Sequence, residues 1–427
     1  MDKVKKLPRA LMGILSIAAL SGRPLVAQDS GNSEIHGYLL GIYSGRTTGV
    51  RPSGAKGGDF LLAEERLRLD VRAWSNSVDI AAHVKADFFH DAVDDELDSD
   101  LREAYVDYTA GRFDFRLGRQ IATWGVGDLL FINDVYPKDW TSFFSGRPLE
   151  YLKVGVDGFR TRYSSDLVNA ELMAIPFYTP DNLPAADRFF LFDPFSSVTA
   201  RDEDLPASTA GNTEVGLRLY RKIGDFDVSA YAYRGFWRTP GMKPDSLAAP
   251  ARLTAFHPAL SAYGMSGQGN ALGGVLSLEA GYYHSRDDRD GNDPLIPNSQ
   301  ARFLVGYQKQ LWTDVTVGAQ YYGEIMRDHS SYRNTVPAGV PAQREYRDIV
   351  TLRFEHLFKH QTWKLAMMAF FGPADSDYLL QPQTSYKLSD KLTVSAGMNL
   401  FGGERDWTSF GQFDRNDNVY LSVMFDF

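Results

Sequence analysis

Apolar and polar residues alternate with a period of two along most of this chain, in stretches of about ten residues. From Arg66 to Ser75, Leu67, Leu69, Val71 and Ala73 share one face, while Arg66, Arg68, Asp70 and Arg72 share the other. After Ser75–Ser77 the pattern resumes. Val78, Ile80, Ala82, Val84, Ala86 and Phe88 then alternate with Asp79, His83, Lys85 and Asp87. Two alternating runs joined by a tight polar turn predict a β-hairpin. A soluble sandwich would turn the apolar face to a core, whereas a membrane barrel turns it to lipid and lines a wet lumen with charge. One hairpin does not separate the two; the connections do.

Short connections recur at Ser75–Ser77, Ala110–Arg112, Ser164–Ser165, Ile223–Asp225, Gln268–Ala271, Leu311–Asp314, Lys359–His360 and Ser389–Lys391. Longer polar ones fall near 46–59, 91–100, 122–150, 177–212, 239–258, 286–299, 327–344, 372–377 and 402–417. Short and long alternate throughout, as short periplasmic turns and long outer loops do. The pattern predicts an all-β fold, a transmembrane antiparallel β-barrel of about 18 strands, with both termini periplasmic. The strands are expected near 34–45, 60–74, 78–90, 101–109, 113–121, 151–163, 166–175, 213–222, 226–238, 259–267, 272–285, 300–310, 315–326, 345–358, 361–371, 378–388, 392–401 and 418–427. The tenth contains the glycine-rich Ser261–Gly269; without its hairpin the barrel would have 16 strands. In the sixth the alternation slips near Gly158, so turning Arg160 and Arg162 inward calls for a bulge.

The two ends carry addresses. Lys3, Lys5, Lys6 and Arg9 precede an apolar core from Ala10 to Leu20, too short for a membrane helix, and Ala27 suits a cleavage site. This predicts a signal peptide over 1–27 and a barrel over 28–427. At the other end Val419, Leu421, Val423, Phe425 and Phe427 alternate outward. The triplet Val423, Phe425, Phe427 resembles the C-terminal strand signal of outer-membrane barrels, and the resemblance implies recognition by the barrel-assembly machinery of a Gram-negative outer membrane.

Composition removes several classes. The chain of 427 residues has no cysteine, which excludes disulfides, thiolate metal sites and cysteine nucleophiles. A net charge of −9 argues against nucleic acid as a partner. The 22 tyrosines, 27 phenylalanines and 38 glycines favour strands. The 8 histidines form no spacing that ties one to a nucleophile, so no enzyme is expected, and no cofactor. Acidic stretches at His90–Asp100 and Arg286–Pro294 lack EF-hand spacing, so they are read as solvated outer loops facing lipopolysaccharide, with no metal site assigned.

Charges opposite the lipid face mark the lumen: Arg66, Arg68, Arg72 and Arg116 are candidates for its lining. The segment from Gly118 to Pro148 is long and holds many apolar side chains, among them Trp124, Phe131, Ile132, Trp140, Phe143 and Phe144. They need a surface, and in a barrel that surface is the inner wall. The segment about 121–148 is therefore expected to fold inward and narrow the pore, with Asp128, Asp134 and Lys138 facing the opposite wall. Here Gly118, Arg119, Gln120, Trp124, Gly125, Asn133, Pro137 and Asp139 resemble the signature of a proteobacterial outer-membrane family known as DUF1302, and porin-like families carry a similar G-R-Q strand end. The resemblance implies a channel or transport role without a defined solute. Arg119, Gln120 and Asp139 read as a hydrogen-bond clasp on the loop or as solute contacts, the clasp being favoured.

The expected function is a porin-like channel that passes or exports small solutes. Alternatives are an exporter of lipophilic or polymeric substrates with a periplasmic partner, a barrel enzyme, or an adhesin. An energy-coupled receptor would need a plug domain before the first strand, for which the chain has no room.

Overall fold

The computed structural model describes residues 32–427 apart from 247, 248 and 338. The expected signal peptide, 1–27 with its cleavage point at Ala27, lies outside the described residues. The first seven strands are β1 (Asn32–Arg46), β2 (Phe60–Trp74), β3 (Ile80–Asp91), β4 (Glu96–Ala110), β5 (Phe113–Gln120), β6 (Val156–Tyr163) and β7 (Asn169–Ile175). After β8 (Ala200–Asp204) come β9 (Glu214–Ile223), β10 (Phe226–Phe236), β11 (Gly241–Pro244), β12 (Arg252–Phe256), β13 (Ala259–Ala271), β14 (Gly274–Ser285) and β15 (Gln300–Trp312). The last six are β16 (Val315–Met326), β17 (Tyr346–Phe358), β18 (Trp363–Gly372), β19 (Asp377–Lys387), β20 (Leu392–Gly403) and β21 (Asn418–Asp426).

Eighteen of these form one ring in which each strand pairs antiparallel with its neighbours in sequence, skipping β8, β11 and β12. β21 returns to β1, from Tyr38 opposite Asp426 to Arg46 opposite Asn418, and so closes the barrel. Closure removes the unpaired strand edge that lipid cannot solvate. The glycine-rich β13 pairs with β14 from Leu260 to Ala271, so the ring holds 18 strands and not 16.

The outer surface is apolar, with Leu39, Val84, Phe88, Leu117, Leu219, Val305, Leu365 and Leu421 all exposed on it. Inside, Arg66, Arg68, Asp87, Glu171 and Glu279 are buried. This inverts the arrangement of a soluble protein and matches a lipid-facing barrel.

At the closing seam Gly37 and Phe427 exchange backbone hydrogen bonds of 3.1 and 3.0 Å. The Phe427 ring covers Gly37 so closely that a Cβ there would come within 2.7 Å of it. An aromatic ring laid over a strand glycine shields the backbone where the glycine offers no side chain. Phe427→Asp is expected to lower the yield of heat-modifiable barrel in refolding into lipid vesicles. An unchanged yield would show that the seam closes without the ring.

Four expectations about elements need correction. The turn expected at Gln268–Ala271 is Leu272–Gly273, because β13 continues its ladder with β14 to Ala271 opposite Gly274. The connection near 91–100 is only the tip Ala92–Asp95, because β3 and β4 continue their ladder from Asp91 opposite Glu96. The sixth strand starts at Val156 rather than near 151, since Leu149–Leu152 forms a turn of 3-10 helix. No bulge occurs at Gly158: β5 and β6 pair without a break from Gln120 opposite Val156 to Phe113 opposite Tyr163. Arg160 and Arg162 lie inward in phase with Gly158 and Val156, and Val156 is apolar because it packs beneath the inward segment with Ala122 and Trp124. A bulge does occur in β4, where Lys85 faces Glu103 and Ala86 faces Leu101, leaving Arg102 as the extra residue.

The connections 176–213 and 237–258 also build a small sheet, β11–β12–β8, in which β8 and β12 run parallel. It stands at the end of the barrel that carries the long connections, here called the loop end; the opposite end is the turn end.

Candidate functional site

Beyond β5 the chain leaves the wall at Ile121 and rejoins it at Val156. Across this segment Asp128 forms an ion pair of 2.7 Å with Arg353 on β17. β5 is the fifth strand of the ring and β17 the fourteenth, so the contact spans half of an 18-strand circle. Beside it Gln320 on β16 accepts from the Asp128 N–H and donates its amide to the Asp128 carbonyl, both at 2.8 Å.

The crossing is held chiefly by Glu279 on β14. Its carboxylate is buried and accepts four N–H groups of the segment. They are the backbone of Val126 (2.9 Å), Gly127 (3.1 Å) and Asn133 (2.7 Å), and the Asn133 side chain (2.9 Å). Gly125 takes a φ of 78°, and a Cβ there would lie 2.6 Å from the Glu279 carboxylate, so the approach requires glycine. Glu279→Leu would leave those donors buried and unpaired. It is expected to cost about 3 kcal/mol or more in urea unfolding from vesicles and to expose the segment to protease. A variant as stable and as resistant as wild type would show that Glu279 does not hold the segment.

The far half of the segment is apolar and docks on an apolar patch of the inner wall. Helix α1 (Trp140–Ser145) is capped by Asp139, whose side chain accepts from the Ser142 N–H at 2.7 Å. Its Phe143 and Phe144 pack edge-on against Phe370 and Phe401 and tilted against Phe413, and Asn399 and Asn418 donate to the Phe144 carbonyl at 3.1 and 3.2 Å. Leu130, Ile132, Leu304 and Leu379 complete this cluster, all buried.

The residues singled out in the sequence fall into separate places. Arg66 and Arg68 are buried and share Asp87: Arg66 at 2.8 Å, Arg68 in a two-pronged pair at 2.6 and 2.8 Å. Arg66 also binds Glu64 at 2.6 Å, and Arg68 pairs with Glu150. Both guanidinium groups, with that of Arg102, lie over the Tyr151 ring at 4.7 to 5.0 Å. This cluster ties the wall to the end of the segment. Arg72 stands apart, exposed, 3.5 Å from Asp70. Arg116 binds Asp107 at 2.6 Å and stacks on Tyr105.

Arg119 shares the outward face of Leu117 and pairs with Asp157 at 2.9 Å, while Gln120 is buried and donates to the Gly158 carbonyl at 3.2 Å. Arg119, Gln120 and Asp139 therefore each hold a different local partner and do not meet. Trp124 donates to Glu171 at 2.7 Å. Asp134 and Lys138 turn to each other at 3.1 Å instead of to the opposite wall, and Lys153 joins Asp134. Burial pushes the Lys138 ammonium below its ordinary range, against the pull of Asp134. Asp181, from the next connection, accepts from the Lys138 N–H at 2.8 Å and from Trp140 at 3.0 Å; burial pushes its carboxyl up despite those donors.

Glu279, Gln320 and Tyr151 were not singled out in the sequence. A lone carboxylate at an inward position of Leu276–Tyr283, among serine, alanine and glycine, was the available signal for Glu279. On the loop side of the segment lies a cavity of about 540 Å³, lined by Phe131, Trp140, Trp237, Tyr283, Arg302 and Glu324 among others. Among the described residues no cluster of three or more metal-ligating side chains occurs. The acidic Asp288 instead accepts from the backbone of Asn292 and Asp293 at 3.2 and 2.9 Å, shaping its own loop.

The closed ring, apolar outer face and charged interior define a transmembrane β-barrel, and its fold is that of solved outer-membrane porins. The chain is similar to a BenF-like porin from Pseudomonas fluorescens Pf-5, at 8% identity over 93% of this chain and 98% of that one, with a TM-score of 0.56. Acinetobacter baumannii OccAB3 gives 12% identity, 93% and 99% coverage and a TM-score of 0.54. Pseudomonas aeruginosa OccK2 (OpdF), solved in complex with glucuronate, gives 11%, 92% and 98%, and 0.54. At such identities the likeness establishes the fold. No family model and no curated protein matches the chain.

Proposed function

We propose that this protein is an outer-membrane channel for small solutes, and that the segment from Ile121 to Pro148 narrows its passage. The observation that carries the reading is the contact of Asp128 with Arg353, half-way round the ring from the strand that the segment leaves. Segment backbone fixed at mid-lumen must be passed by anything that moves through the barrel. The charges left around it, Asp128, Arg353, Glu324 and Arg302, then act on solutes as charged rings do in pores. The likeness of Gly118, Arg119, Gln120, Trp124, Gly125, Asn133, Pro137 and Asp139 to DUF1302 supports a transport role and adds no solute. In this reading the turn end and both termini face the periplasm, lipopolysaccharide surrounds the loop end, and the Val423, Phe425, Phe427 face serves assembly.

Purified protein in a planar bilayer tests the proposal. Discrete ion-conducting steps are expected, together with swelling of proteoliposomes in neutral sugars. A folded protein that gives neither would be a closed barrel, and the reading would fall.

A further inference from the structure

One patch of the inner wall, on the turn side of the point where the segment departs, holds more arginine than its acids can satisfy. Along one row of the ladder Arg116 on β5 faces Arg160 on β6, and Arg160 faces Met173 on β7. Along the next inward row Arg162 faces Glu171, and Glu171 faces Arg218 on β9. The acids in reach are already engaged. Asp107 takes Arg116 through two bonds of 2.6 and 2.8 Å. Glu171 accepts from Arg162 and from Trp124, each at 2.7 Å. Asp114, opposite Arg162, accepts from Thr109 at 2.8 Å. Arg218 donates to the Ser229 hydroxyl at 3.2 and 3.1 Å and lies over the Tyr220 ring at 4.6 Å, with no ion pair among the described residues.

Arg160 has no hydrogen bond and no ion pair with any described residue, although it is only 8% exposed. Two like charges directly opposite one another weaken a strand pair. Glu171 and Asp107 act on Arg160 only from a distance, and a guanidinium largely withdrawn from water without a direct ion pair is costlier still. The other lumen arginines described above are matched: Arg66 and Arg68 by Asp87, Arg353 by Asp128, Arg302 by Glu324 at 3.2 Å. The deficit is thus local. It sits beside Trp124, whose ring stands over Gly216 at the foot of the inward segment.

We propose that Arg160, flanked by Arg116 and Arg162, binds the carboxylate of a small organic anion passing the segment. A guanidinium fork matches a carboxylate in two parallel hydrogen bonds. An anion there would supply the charge that the wall lacks and relieve the repulsion between Arg116 and Arg160. The passage is then a channel that favours organic acids over neutral solutes of the same size. This inference rests on the channel reading and adds a solute class to it.

Uptake of radiolabelled gluconate and glucose into proteoliposomes separates the two. Wild type is expected to pass both and to favour gluconate. Arg160→Gln should lower the gluconate-to-glucose ratio about fivefold to tenfold, the scale of one charge acting over a few ångström in a water-filled passage. Arg160→Lys, which keeps the charge and loses the fork, should fall between. Arg112→Gln, in an exposed turn, should leave the ratio unchanged. If Arg160→Gln does not yield heat-modifiable barrel, Arg162→Gln takes its place, with a loss in the same direction. A ratio unchanged in the Arg160 variants, or a parallel fall of both solutes, overturns the carboxylate site while leaving the channel intact. Wild-type vesicles impermeable to both solutes would overturn the channel reading, and this site with it.

Discussion

Excising Gly127–Trp140 and bridging the gap with glycine and serine will raise single-channel conductance severalfold and flatten the dependence of uptake on solute size. The segment's crossing rests on the ion pair of Asp128 with Arg353, the two-way hydrogen bonding of Asp128 with Gln320, and the four N–H donors gathered on Glu279. Removing the crossing alone would leave the Glu279 carboxylate as a new unpaired charge facing the opened lumen, which would act on conductance by itself. The excision is therefore combined with Glu279→Gln. Arg353 keeps Glu355 at 3.7 Å, and Phe143 and Phe144 remain docked on Phe370, Phe401 and Phe413. A doubly altered protein that shifts on heating like a folded barrel, with wild-type conductance, would place the narrowest point elsewhere.

Two substitutions one residue apart on β2 are expected to be about equally damaging for opposite reasons. Leu69→Arg puts a charge into hydrocarbon, at about 2–4 kcal/mol near the midplane. Judged by alternation alone, Arg68→Leu should be milder, since it only removes a charge from a wet lumen. Arg68, however, is buried and engages Asp87 through two bonds as well as Glu150. Its loss leaves Asp87 to Arg66 alone, and breaking such a pair from one side costs about 3–5 kcal/mol. Arg72→Leu on the same inward face, exposed and 3.5 Å from Asp70, should cost under about 1 kcal/mol. Equilibrium urea unfolding in lipid vesicles measures all three. If Arg68→Leu proves as mild as Arg72→Leu, the cluster around Asp87 contributes little.

The sequence by itself determined the barrel. Alternation places a strand wherever one face must meet lipid and the other must not, and a one-residue slip would put arginine in hydrocarbon. This is why the second strand, 60–74, and the thirteenth, 315–326, have the same limits in the sequence reading and in the structure. The inward segment was legible in part, because the many apolar side chains from Trp124 to Phe144 had to find a surface.

What the sequence could not supply was which surface. Glu279 lies 153 residues from Val126, and Arg353 lies 225 from Asp128, and no periodicity links positions so far apart. The bulge expected at Gly158 shows the same limit. An apolar residue at an inward position, Val156, breaks the alternation only for a reader who does not know that Ala122 and Trp124 cover it. Arg68 and Arg72 also look alike in the chain, two inward arginines four residues apart. Only the arrival of Glu150 and Tyr151 against the wall buries one and leaves the other in water. Lipid imposes its pattern locally, residue by residue, whereas the lumen is filled by chain that returns from elsewhere, and tertiary packing alone decides what each inward charge meets.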